Sequence, residues 1–188
     1  MLNINLSIKE ILWIILGIFF VILVIIAVLI FDWGRKGEIK VSSFEDCIKF
    51  TEVVAESYPR QCNYNDKNYV ENIGNELDKV NLIQINSPRP NQNISSPIII
   101  TGQARGNWFF EGSFPIILED GNGKQLISSP AKALGEWMTT SFVPFSAELS
   151  FNVPETATGT LILKRDNPSG LPENDDELVV PISFSMSK

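Results

Sequence analysis

Twenty-two carboxylates, fifteen Lys or Arg side chains, two cysteines and no histidine are the reactive groups of this 188-residue chain. Without His there is no Ser/His/Asp or Cys/His nucleophile arrangement, and the commonest metal ligand is missing. Two thiolates alone cannot complete a four-coordinate zinc site. Carboxylate pairs remain, but a hydrolase would need two of them roughly 5–10 Å apart in a cleft. The acids here lie mostly in turns and at strand ends. A formal charge of −7 and a pI near 4.7 argue against a nucleic-acid partner, since phosphate binding needs a surplus of Lys and Arg. The acidic group Asp166, Glu173, Asp175, Asp176 and Glu177 matches no EF-hand spacing and reads as a solvated loop. The expectation is therefore no catalytic residue, no metal site and no cofactor.

Cys47 and Cys62 are the chemistry that is left. They fall in residues 42–71, a stretch too short to bury a self-sufficient core. A disulfide between them would close a loop of about 16 residues and contribute roughly 3 kcal/mol on the loop-entropy model. It would also place the unit in an oxidising, extracytoplasmic compartment. Two buried free thiols in a cytoplasmic domain are the alternative. Ser43 and Asp46 are spaced as a capping box ahead of Phe44, Cys47, Ile48 and Thr51, which predicts a helix over about 44–51. Residues 59–64 and 67–71 flank Asn65-Asp66, which predicts a hairpin.

Ahead of that unit, residues 11–31 carry no charged side chain. At about 1.5 Å per residue a helix of that length covers roughly 30 Å, the bilayer core. Trp13 and Trp33 stand at its margins, as interfacial indoles do. The apolar run is longer than a signal-peptide core and ends in bulky residues, so an uncleaved single-pass anchor is expected. Residues 1–10 then form a short cytoplasmic tail and 32–41 a juxtamembrane linker. Arg35, Lys36 and Lys40 mildly favour the opposite topology, but the cysteine argument favours an extracytoplasmic C-terminal part.

After a polar stretch at 72–81, read as a linker, residues 82–188 are rich in β-branched and aromatic runs. Seven strands are predicted near 82–86, 97–104, 114–119, 124–133, 145–153, 159–165 and 177–186. Alternation is clearest in Ala147, Leu149, Phe151 and Val153, and Asp120-Gly121-Asn122-Gly123 reads as a tight turn. The fold class is mainly β: an immunoglobulin-like antiparallel sandwich of about seven strands. An N-terminal transmembrane α-helix and a small disulfide-linked helix/hairpin unit complete it. Strand count and connectivity gather the segments 105–113, 134–144 and 166–176 at one pole. Candidate partner-binding residues there are Arg105, Asn107, Trp108, Phe109, Phe110, Glu111, Trp137, Met138 and Asn167. Alternation cannot bury Trp108, Phe109 and Phe110 together, so at least one should be at the surface. Arg105 and Glu111 are placed to pair across the loop base. Strand geometry also brings the cysteine unit towards this pole.

Three runs carry a family resemblance: Thr101 to Pro115, Glu136 to Phe145, and Asp166 to Asp176. They make residues 82–186 resemble the immunoglobulin-like domain associated with bacterial spore germination. The run at 56–62, ending in Cys62, resembles a small module of bacterial envelope proteins. The resemblance implies an extracellular, non-enzymatic adhesion or assembly domain. The expected function is thus a membrane-anchored envelope protein, held by residues 11–31, that binds a protein or a glycan. A cytoplasmically oriented, membrane-tethered scaffold is the alternative, and a carboxylate-based envelope hydrolase a lesser one.

Overall fold

A computed structural model of the chain describes residues 8–34, 40–51, 54–55 and 57–185. It divides into two compact units, Met1–Ser42 and Ser43–Lys188. The charges at Arg35 and Lys36 and the tail at 1–7 lie outside the described residues.

The first unit is helix α1, Ile8–Gly34. It runs three residues beyond the expected 11–31 at each end. Its side chains are described over 12–28, where Leu12, Phe19 and Val28 are among the large apolar groups standing exposed. Among the described residues, no helix is long and apolar enough to cross a membrane.

The second unit begins with α2, Phe44–Phe50. Ser43 caps it as its spacing predicts: the Asp46 amide donates to Ser43 Oγ at 3.1 Å, and Phe44 and Cys47 turn inward. A three-stranded sheet follows, from β1 (Val54–Ala55), β2 (Gln61–Tyr64) and β3 (Lys67–Val70). Asn65 and Asp66 make the β2–β3 turn with φ of 49° and 59°, a conformation that Asn and Asp tolerate. Cys47 and Cys62 are joined, and both are fully buried. The stretch read as a linker instead carries α3, Glu76–Lys79, packed beside the β domain.

That domain contains β4 (Ile83–Ser87), β5 (Asn93–Ile94), β6 (Ile98–Arg105), β7 (Ser113–Asp120), β8 (Gln125–Ala133), β9 (Phe142–Leu149), β10 (Thr158–Lys164) and β11 (Glu177–Phe184). The seven expected strands are present within a few residues, and β5 is additional. Strict alternation in β7 and β11 turns Phe114, Ile116, Leu118, Leu178, Val180 and Ile182 into one core. The predicted two separate sheets are corrected to one curled sheet, ordered β4-β6-β9-β8-β7-β10-β11-β5. The cause is β8. It pairs with β7 along its length and then, at Lys132 and Ala133, with Ser146 and Phe145 of β9. One strand therefore belongs to both layers. The segment after β4 also changes layer, since β5 pairs in parallel with β11 through Asn93 and Ile94.

Candidate functional site

At the predicted loop pole, β6 ends in Arg105 and the chain makes a 3-10 turn over Gly106–Trp108. Gly106 is required by close approach: a Cβ there would lie 1.9 Å from the Thr139 carbonyl oxygen and 2.2 Å from that of Trp137. The turn is thereby wedged into the 134–144 segment. The three consecutive aromatics then separate. Trp108 and Phe109 are 1% and 4% exposed, whereas Phe110 is 43% exposed. Phe109 meets the Phe114 ring edge-on at 5.2 Å, and Phe114 meets Phe145 at 4.9 Å. Burial of two aromatics holds the third outside.

Glu111 and Gly112 close the tip with φ of 49° and 73°, and Phe110 and Ser113 exchange both backbone hydrogen bonds across it. Beside it Trp137 is partly buried against the core, while Met138 is 75% exposed. Asn107 keeps its side chain exposed and lends its carbonyl to Arg165 Nε at 3.2 Å. The expected Arg105–Glu111 pair is not formed. Arg105 donates from Nε to the Asn81 carbonyl at 3.0 Å and from Nη1 to that of Thr140 at 2.9 Å, over the Phe142 ring. Loop carbonyls without ladder partners are the stronger local claim on its fork of donors.

Asn167 organises the third loop from within. Its Nδ2 donates to the Leu171 carbonyl and to Asp175 Oδ1, and its Oδ1 accepts from Ser169 Oγ. Asp176 pairs with Lys79 at 2.5 Å. The acidic loop is thus partly neutralised. Among the described residues no group of three or more His, Cys, Asp or Glu side chains is arranged to hold a metal.

The cysteine unit lies elsewhere than expected. Phe44, Ile48 and Arg60 line a cleft of about 760 Å³ together with Glu119, Gly121 and Thr158, at the end carrying the 120–123 turn. The approach does begin at the loop pole, where Lys79 meets Asp176. From there the chain, followed backwards, runs along β11 to the far end. Asn75 fixes its course by donating to the Glu177 carbonyl and accepting from the Val179 amide at 2.7 Å. Gly74, at φ 69°, passes so close that a Cβ would lie 1.8 Å from the Val179 carbonyl oxygen.

Polar side chains that the sequence reading did not single out clamp this arrangement. Glu76 is 7% exposed and accepts from Tyr58 Oη and from both terminal nitrogens of Arg89, at 2.6 and 3.2 Å. Arg89 also donates to Tyr58 Oη at 2.6 Å and stacks over its ring. Glu71, equally buried, takes a forked contact from Arg60 at 2.6 and 2.9 Å and a further donor from Asn91. The Arg60 hydrogen bond holds the Glu71 carboxyl below its usual value, against the opposing effect of burial. Tyr58 is shifted the other way: burial, and then the Glu76 carboxylate, hold its phenol protonated well above its usual range.

Alternating strands in two layers around one core, joined by loops at two poles, define an immunoglobulin-like β domain. More particularly, residues 82–170 match the family described as the immunoglobulin-like domain of bacterial spore germination. The matched stretch runs from the residue before β4 into the Asn167–Gly170 turn and stops short of β11. No curated protein and no solved structure matches the chain.

Proposed function

We propose that this chain is a single-pass, membrane-anchored bacterial envelope protein whose extracytoplasmic immunoglobulin-like domain is a non-catalytic binding or assembly module for a protein or glycan. The observation carrying the binding reading is the divided aromatic triplet: Trp108 and Phe109 seated in the core, with Phe110 left 43% exposed, and Met138 on the neighbouring 134–144 segment 75% exposed. A preorganised apolar anchor on a braced loop is how binding surfaces limit the entropy cost of association. The match of residues 82–170 to an immunoglobulin-like family supports the same class. The anchor is supported by the unbroken helix of α1 and the apolar, exposed side chains over 12–28. The buried Cys47–Cys62 disulfide supports an oxidising compartment.

Photo-cross-linkers placed singly at positions 110 and 138, on intact cells, test the binding reading. The same envelope component captured from both, and not from the exposed Val153 at the other end, is the expected result. Capture from 153 alone, or from none of the three, overturns it. Alkylation of Cys47 and Cys62 in intact cells without reductant would overturn the extracytoplasmic placement.

A further inference from the structure

We infer that the cleft between the cysteine segment and the β domain binds an alkylammonium group of the kind a lysine side chain carries. It lies at the end away from the aromatic pole, so it is a second site, independent of the binding reading above. At about 760 Å³ the cleft is of the size that takes small ligands. Four carboxylates line it, Glu45, Glu71, Glu119 and Asp120, against one cation, Arg60. Arg60 is already matched by its forked contact to Glu71. The surplus of negative charge selects a cation as the occupant.

Asp120 fixes where that cation sits. It ends β7, is 2% exposed and lines the cleft, and its two oxygens differ. Oδ1 accepts from the Asn122 amide at 2.9 Å and the Lys124 amide at 3.0 Å, which close the turn. Oδ2 has no hydrogen-bond partner among the described residues. A buried carboxylate oxygen without a donor carries a desolvation cost that a charged donor offsets. Lys124 does not supply that donor, since its Nζ is held by Glu155 at 2.8 Å. A metal ion fits poorly, because among the described residues no three acidic, His or Cys groups converge to hold one. An ammonium needs fewer acceptors, and the hydroxyl-bearing Thr158 and Thr160 share the lining with Asp120. From α2, Phe44 and Ile48 add apolar lining suited to a methylene stem.

Titration of the isotope-labelled full chain in detergent micelles, followed by NMR at the lining residues Gly121 and Gly159, tests this. The probes are pentylamine, its uncharged counterpart pentanol, and the peptide acetyl-Gly-Lys-Gly-amide. Shifts saturating below about 10 mM are expected with an amine and not with pentanol. Tighter binding of the peptide than of pentylamine identifies a protein-borne lysine as the source, and equal or weaker binding a free amine. Asp120→Asn keeps an acceptor for the turn amides and should weaken amine binding about tenfold or more. Should that variant fail to fold, Glu119→Gln takes its place, with an expected loss of about threefold. Equal shifts with amine and pentanol, no saturation with either amine probe, or unchanged affinity in the variant used overturns the inference.

Discussion

Replacing Glu76 by Ala is the sharpest test of how the cysteine unit is held to the β domain. The carboxylate is 7% exposed and accepts from Tyr58 and from two nitrogens of Arg89. Removing one partner of a fully buried ion pair costs about 3–5 kcal/mol, but the Arg89 side chain is 45% exposed, and water takes up part of the loss. A hydrogen bond to a charged group is worth about 1.5–3 kcal/mol, so a cost of about 2–3 kcal/mol is expected. For a unit of this size each kcal/mol moves Tm by roughly 2–4 °C, which gives a fall of about 4–12 °C by circular dichroism. Glu155→Ala provides the contrast, because the Lys124–Glu155 pair is 63% and 69% exposed and should leave Tm unchanged. Arg89→Met, alone and combined with Glu76→Ala, should show non-additive losses, since the two residues share one network. Equal, small shifts for Glu76→Ala and Glu155→Ala would show that apolar packing, and not this clamp, joins the parts.

The pole should divide in the same way: Trp108→Ala is expected to cost about 3–5 kcal/mol in urea unfolding, and Phe110→Ala less than about 1 kcal/mol; similar costs would contradict the burial of one and exposure of the other. Glu111→Gly should stabilise by about 0.5 kcal/mol, because relief of a left-handed residue slightly exceeds the added chain entropy, and a loss of stability would refute the strained tip. The lowered Glu71 carboxyl makes acid the destabilising direction. Its contribution is full above the ordinary Glu value of about 4.3 and is lost as pH falls through the lower folded value. Amide protection around Arg60, taken relative to the intrinsic exchange rate, should therefore fall on acidification below about pH 4, and Glu71→Gln should flatten that fall.

Much of this architecture is written locally. Ser43, three residues before Asp46, marks the start of α2, and Asn65-Asp66 marks the hairpin, because caps and tight turns depend on residues within one turn of each other. The alternation of Ala147 and Leu149 gives the buried face of β9, and the short cysteine-containing segment calls for a cross-link. That Trp108, Phe109 and Phe110 cannot all be buried follows from alternation, but the burial of the adjacent Trp108 and Phe109 does not, because the 3-10 turn over Gly106–Trp108 breaks the strand pattern there. What stays hidden is set by partners distant in sequence. Glu76 meets Tyr58 across 18 residues and Asn75 meets Glu177 across 102, without any local pattern. The double role of β8 is equally invisible, because strand composition does not state which neighbour a strand leaves or joins. Arg105 turns to the Asn81 and Thr140 carbonyls and not to Glu111 for a related reason: a charged partner can be seen in a sequence, whereas an unsatisfied backbone carbonyl cannot.

The path of β11 bears on how such a domain can be moved between proteins. The family match ends at residue 170, yet Glu177–Phe184 occupies an interior place in the sheet, between β10 and β5. A graft limited to the recognisable segment would leave β10 with a naked edge and strip Leu178, Val180 and Ile182 from the core. The transplantable piece must reach through Phe184, and along that strand it brings the docking contacts for Asn75 and Gly74.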